Sequence, residues 1–392
     1  MSNIDLKSFI GGYEWKFSDV IYLKLTGKRV VSNYFPVIPI HLKDISEFFS
    51  KKRVYGIFWS TPTFKDTDSN YFFHIYDKKK IDFIISTSSG NTVESMARAI
   101  YQYNQLMAKN INAILIVPEI SSYKVARSAI DGNPYVKFVV LKNSTLESIR
   151  GFASKLKEKM LENYVVAISD VYLKTAAYSQ IGLALNRMNM FENDICYVQT
   201  VSGGIGPAGL IEYATQLRLN PEILIVQPSV GNSTPIADAL NEYSKGNNPL
   251  SIFEKRLYKT PTIETTLGST CPVFAIENFI KWRKAGGRIY PAQITKEELF
   301  HYKEKILKIL VKIGVYPTIE IGTKLFELEK SGFIAIIGAL KSKSIIESKT
   351  IIINFTGRYL DPISSIPITA SPYLSYNPHK GVENFMKILK MN

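Results

Sequence analysis

Short runs of β-branched and aliphatic residues alternate along the chain with longer stretches in which apolar residues recur every three or four positions. The short runs are Val54–Phe58, Ile81–Ser86, Ala113–Val117, Val136–Leu141, Val165–Ile168, Ile195–Val201, Ile223–Val226 and Thr350–Phe355. They are strand-length and mostly apolar on both faces, the pattern of strands buried inside a parallel sheet. Between them lie helix-length stretches. Over Thr92–Ala108, Val93, Met96, Ala97, Ile100, Asn104 and Met107 share one face, and all but Asn104 are apolar. Helical spacing also covers Ser144–Leu161, Lys174–Asn189 and Lys296–Ile313. Repeated strand–helix units predict an α/β fold with helices on both sides of the sheet. No internal repeat or low-complexity linker interrupts the pattern. Gly246 to Gly287 is less regular, and reads either as a long excursion near a ligand or as a plain surface loop.

Composition adds limits rather than direction. At 392 residues, 46% hydrophobic and 21% charged, the chain can bury a sizeable core without a metal or disulfide staple. Its two cysteines, Cys196 and Cys271, show no zinc-ligand spacing, so no metal site is expected, and sparse cysteine suits a reducing cytoplasm. The opening MSNIDLKSFIGGYEWKF has no continuous apolar stretch of the kind found in signal peptides. The apolar run in NAILIV is far too short to span a bilayer, and a cytoplasmic protein without membrane contact is expected. The net charge of +14 would suit a polyanion. The lysines, however, are scattered singly and in pairs, with Lys78-Lys79-Lys80 the longest run. That distribution favours solvated helix faces. No interleaved aromatic motif supports nucleic-acid binding.

Candidate chemistry sits in three loops that follow expected strands. The first is Ser60-Thr61-Pro62-Thr63-Phe64-Lys65-Asp66, where a helix is expected to begin near Thr63. A lysine at a strand-to-helix junction of an α/β core is costly as a buried ammonium, but reasonable as a nucleophilic amine. A lysine that snorkels to solvent is the plainer alternative. The second loop is Ser86-Thr87-Ser88-Ser89-Gly90-Asn91-Thr92. Clustered hydroxyls and backbone N–H groups at a helix N-terminus make an anion site, whereas Ser89 or Asn91 could serve merely as a cap. The third is Val201-Ser202-Gly203-Gly204-Ile205-Gly206-Pro207-Ala208-Gly209, leading into a helix from about Pro207. Glycines there let the backbone approach a phosphate, and the helix dipole favours its charge. The loop matches neither a P-loop nor a dinucleotide fingerprint.

In order and spacing, these loops resemble the fold-type II pyridoxal-phosphate enzymes, and among them the threonine synthases. Pro62-Thr63-Phe64-Lys65-Asp66 is similar to the family's proline-containing stretch ending in FKD, and Ser88 to Thr92 to its SSGNT loop. Thr356-Gly357-Arg358-Tyr359-Leu360-Asp361-Pro362 resembles the family's terminal TG…DP. Val117-Pro118-Glu119, Lys174-Thr175 and Val226-Gln227 add softer likeness, so that the resemblance spans roughly residues 50 to 365. It implies pyridoxal 5'-phosphate as cofactor, held by Lys65 in Schiff-base linkage, with Lys65 also the catalytic base. Asn91 would contact the cofactor's ring oxygen, and Ser202, Gly203, Gly204, Ile205 and Gly206 would grip its phosphate. Thr356 would hydrogen-bond the ring nitrogen, and Ser88, Ser89 and Thr92 would hold the substrate carboxylate.

The resemblance further implies two open twisted sheets with helices on both faces, the tryptophan synthase beta-like architecture. A large cofactor-binding domain is expected over 1–85 and 180–392, with a smaller mobile domain over 86–179, in a homodimer. The expected activity is that of a lyase or synthase in amino-acid biosynthesis, working by elimination or replacement at Cβ or Cγ of an amino acid or phosphoamino acid. Conversion of O-phosphohomoserine to threonine is one such reaction. The stretch before Lys174-Thr175, Val166-Ala167-Ile168-Ser169-Asp170, lacks the arginine and asparagine with which the family binds that substrate's phosphate. A cysteate synthase-like or dehydratase paralogue, or a non-catalytic protein of the same fold, therefore stands beside threonine synthesis.

Overall fold

The structure is a computed structural model that describes residues 37–49, 52–59, 63–76, 80–125, 130–168, 171–229, 233–259, 263–264, 267–357 and 373–389. Ser60, Thr61, Pro62, Ser169, Asp170 and the 358–362 part of the expected TG…DP motif lie outside these residues. The described chain forms two compact units, divided at Phe64/Lys65 and at Leu173/Lys174, with the last described residues, 373–389, belonging to the unit that begins at Lys65.

One unit is built on six strands: β1 (Val37–His41), β2 (Arg53–Trp59), β7 (Ile195–Thr200), β8 (Glu222–Pro228), β9 (Ile289–Ile294) and β10 (Thr350–Phe355). Their order is β1-β2-β10-β7-β8-β9, and only β1 runs antiparallel to its neighbour. The interior strands are buried on both faces, as their unbroken apolar runs require. Val54, Phe58, Val198, Val226, Ile351, Ile353 and Phe355 form one core with the helices over Lys296–Lys312, Ile319–Leu328 and Ser331–Lys341. Ile57, Tyr197, Ile223, Ile225 and Ile352 alternate with them and are buried on the opposite face. The Ser331–Lys341 helix lies close enough that a side chain at Gly338 would meet Val226 Cγ1 at 2.5 Å. Thr295 starts the Lys296–Lys312 helix through a reciprocal capping box with Glu298.

The other unit carries a five-stranded, wholly parallel sheet in the order β11-β5-β4-β3-β6. Its strands are β3 (Phe83–Thr87), β4 (Asn112–Pro118), β5 (Val136–Leu141), β6 (Val166–Ile168) and β11 (Leu374–Tyr376). Helices α1 (Asp66–Tyr76) and α2 (Asn91–Met107) cover one face through Phe72, Phe73, Val93, Met96 and Ile100. The Leu146–Met160 and Val382–Ile388 helices cover the other through Ile149, Phe152 and Phe385. β11 and the Val382–Ile388 helix come from the end of the chain, which the expected limits assigned to the larger domain. Asn104, the one polar residue on the apolar stripe of α2, closes a pair of hydrogen bonds with the backbone of Ile111 at 2.8 and 3.1 Å, so its amide is buried and satisfied.

Among the described residues no helix is long and apolar enough to cross a membrane, and no group of three or more acidic, histidine or cysteine side chains is placed to hold a metal ion.

Candidate functional site

The lysine loop leaves the end of β2. Phe64, still part of the six-stranded unit, stacks on Tyr178 with ring centroids 4.9 Å apart, and its N–H points at the Thr356 carbonyl at 3.5 Å. Thr356 follows β10, the parallel neighbour of β2, and the Ser202–Gly206 loop follows β7, the neighbour of β10 on its other side. Three carboxyl-terminal strand ends thus lie side by side, where open α/β sheets place ligands. Lys65 is the residue after Phe64. Its carbonyl accepts the Ser69 N–H at 3.2 Å, and the side chain is half-buried. The helix begins at Asp66 rather than near Thr63, so Lys65 stands just ahead of the first turn.

Asp66 explains how that junction is held. Its carboxylate is buried and takes Arg98 Nη2 at 2.9 and 3.2 Å and Ser95 Oγ at 3.0 Å. Arg98 Nη1 also reaches Glu94 at 2.6 Å, and Ser95 Oγ lies 2.9 Å from Ser69 Oγ. Asp66 and Ser69 are on α1, while Glu94, Ser95 and Arg98 are on α2. The start of the helix that follows Lys65 is therefore tied to the helix that opens with Asn91, within one unit. This cluster was not evident from sequence.

The serine-rich loop is pinned to β4 by the Ser88 N–H on the Ile116 carbonyl at 3.2 Å, and Ser88 Oγ accepts the Gly90 N–H at 3.2 Å. The N-cap of α2 is Gly90, with φ 144° and ψ −75°, which has no side chain of its own to cap the helix. Neither Ser89 nor Asn91 stands at the N-cap position. The glycine is required by conformation rather than by space, because the nearest atoms to an added Cβ, on Lys124 and Val125, are 3.9 Å away. Ser88, Ser89 and Asn91 are half-buried and Thr92 is buried. The first-turn amides and these hydroxyls form a donor set suited to a carboxylate.

The glycine loop is built likewise. Gly204 is the N-cap at φ 74°, again without a side-chain cap, and the helix runs Ile205–Leu217, two residues earlier than expected. Pro207 has no N–H and Ala208 donates to Gly204 O at 3.2 Å, leaving Ile205 and Gly206 as the first-turn amides without a helical partner. Packing demands the glycines: a Cβ at Gly204 would stand 2.7 Å from Ala275 Cβ, and one at Gly206 2.5 Å from Gln199 Nε2. Ser202 Oγ accepts the Ser269 N–H at 3.1 Å. Thr356 is buried with its Oγ1 3.0 Å from Ser331 Oγ, and the Ser331 carbonyl accepts Thr200 Oγ1 at 2.6 Å. Ser331 and Ser269 carried no sequence signal, since each reaches its partner only through tertiary packing.

A buried polar network fixes the register of these strands. Trp59 Nε1 donates to Asn354 Oδ1 at 2.9 Å, Asn354 Nδ2 donates to Tyr197 Oη at 2.7 Å, and Tyr197 Oη donates to Gln199 Oε1 at 2.7 Å. Burial pushes the Tyr197 phenol well above its ordinary range. One residue from each of β2 and β10 and two from β7 are thereby locked together beneath the loops.

No protein-family model matches the chain, and no curated protein does. Solved structures do. A pyridoxal 5'-phosphate-dependent aspartate racemase superposes with a TM-score of 0.61 at 13% identity, covering 88% of this chain and 95% of its own. Serine racemase from Dictyostelium discoideum gives 0.57 at 17% identity, with 88% and 98% covered. Diaminopropionate ammonia lyase from Escherichia coli gives 0.57 at 12%, with 88% and 89% covered. The chain thus has the α/β fold-type II architecture of pyridoxal-phosphate enzymes, the tryptophan synthase beta-like fold.

Proposed function

We propose that this chain is a pyridoxal 5'-phosphate-dependent enzyme acting on amino acids, with Lys65 as its attachment point. The observation that carries the reading is the side-by-side ending of β2, β10 and β7, from which Lys65, Thr356 and Ser202–Gly206 follow. The residues suit that cofactor. Gly204, as N-cap, has no side chain to block the Ile205 and Gly206 amides from a phosphate, and Thr356, whose Oγ1 bonds Ser331 Oγ, would set a neutral hydroxyl against a ring nitrogen. When bound, pyridoxal phosphate supplies a ring that spreads the charge left at Cα after proton loss.

The chain's own groups would do the rest. Lys65 Nζ would hold the cofactor until substrate binds and, once free, would serve as the base that takes the proton from Cα. Asn91 would hold the ring, and the amides of Ile205 and Gly206 with Ser202 would hold the phosphate. Ser88, Ser89 and Thr92 hold the substrate carboxylate at the start of α2. A neutral hydroxyl opposite the ring nitrogen favours full ring protonation less than a carboxylate would. That suits elimination and replacement at Cβ or Cγ, as in the threonine synthase-like group, in a cytoplasmic homodimer.

A second reading, a dehydratase-type lyase, gains support from the superposition on an ammonia lyase and a threonine deaminase. Purified protein mixed with pyridoxal phosphate should gain a visible absorption band that Lys65→Ala abolishes; an identical spectrum for both would refute the assignment. Assays with O-phosphohomoserine, O-phosphoserine, serine and threonine then separate synthase from dehydratase.

A further inference from the structure

We infer that Ser269 is a phosphate ligand, contributed to the glycine loop from the distant 267–270 segment. The inference rests on the cofactor reading above and names a residue of the same site.

Ser269 is 4% exposed, and its Oγ is buried without a hydrogen-bond partner among the described residues. A buried hydroxyl left in that state is unfavourable, so it calls for an explanation such as a group that arrives on binding. Its position supplies one. The Ser269 N–H is spent on Ser202 Oγ at 3.1 Å, which fixes the residue against the loop. Its Oγ lies 3.8 Å from where a Cβ on Gly203 would stand, so the orphan hydroxyl borders the glycine whose missing side chain opens the cradle. Because Ser202 Oγ accepts that N–H, its own proton remains available to donate. Two serine hydroxyls therefore flank Gly203, beside the Ile205 and Gly206 amides of an uncapped helix whose dipole favours negative charge. Four neutral donors suit a phosphate dianion, which accepts many hydrogen bonds at once.

The test compares pyridoxal phosphate with pyridoxal, which lacks the phosphate, in the unsubstituted chain and in Ser269→Ala. Affinities are read by absorbance or fluorescence titration, and apo and loaded Tm by calorimetry. Loss of one hydroxyl bonded to a charged group should weaken pyridoxal phosphate roughly 10- to 100-fold and pyridoxal less than about twofold. The apo Tm should hold or rise, because an orphan hydroxyl has been removed, while the loaded Tm falls. Ser269→Cys, close in volume but a weak donor, should show the same selective loss. Equal weakening of both ligands, unchanged pyridoxal phosphate affinity in the folded variants, or an apo Tm that falls as far as the loaded one would overturn the inference and leave the cofactor reading standing. A native chain that binds no pyridoxal phosphate would overturn both.

Discussion

Replacing Arg98 by Met removes the cation that holds the first turn of α1 against α2. Arg98 stands 2.9 and 3.2 Å from the two oxygens of Asp66 and 2.6 Å from Glu94, with side-chain exposures of 23%, 10% and 2% for the three. At an effective dielectric near 20, two unit charges about 4 Å apart attract by about 4 kcal/mol, before the cost of desolvating them. Removing one partner of a fully buried pair costs about 3–5 kcal/mol, and an exposed pair about 0–1 kcal/mol. Arg98 keeps part of its surface in water, so a loss of about 2–3 kcal/mol is expected. Two buried carboxylates, Asp66 and Glu94, would then lose the Arg98 cation. For a cooperative unit of about 150–250 residues, at about 2–4 °C per kcal/mol, this lowers the unit's Tm by roughly 5–10 °C. Methionine retains the stem's packing, which isolates the charge. Urea denaturation of Arg98→Met, Asp66→Asn and the double variant should give a coupling of about 1–3 kcal/mol. Cofactor attachment should also weaken, since Asp66 fixes the residue next to Lys65. Additive single losses, or a change below about 0.5 kcal/mol, would refute this account of the junction.

Two further perturbations probe the six-stranded unit. Asn354→Leu strands the Trp59 N–H and takes a donor from Tyr197, and should lower stability by about 2–4 kcal/mol in chemical denaturation; a neutral result would dismiss the network as a register lock. Burial pushes the Tyr213 phenol up to about 12, partly offset by the Asn186 amide that donates to it at 3.0 Å. As pH rises from about 10, the unfolded phenol ionises first and the folded one still holds its proton, so stability should fall through that range and be lost as pH passes the folded value. Tyr213→Phe should flatten that slope in an alkaline melting series, and an unchanged slope would assign it to other groups.

The interior of both sheets was legible because β-branched runs at strand length have few other uses. The three unforeseen strands are all edges. β1 and β9 carry Pro39 and Pro291, which read as interruptions yet are tolerated where one side of the ladder is unpaired. β11 has three residues, too few to show any period. The Ser331–Lys341 helix was equally hidden, because a helix buried all round shows no stripe. Within the candidate site, glycine and hydroxyl clusters after strands are what single out Ser88–Thr92 and Ser202–Gly206 in the sequence. Asp66 with Arg98, Thr356 with Ser331, and Ser202 with Ser269 are separated by 32, 25 and 67 positions, and only folding pairs them.

The most direct measurement is where the cofactor attaches. Borohydride reduction of the pyridoxal phosphate-loaded chain, followed by proteolysis and mass spectrometry, should recover the pyridoxyl group on the peptide containing Lys65. Recovery on other lysines in proportion to their exposure, with Lys65 unmodified, would contradict the account.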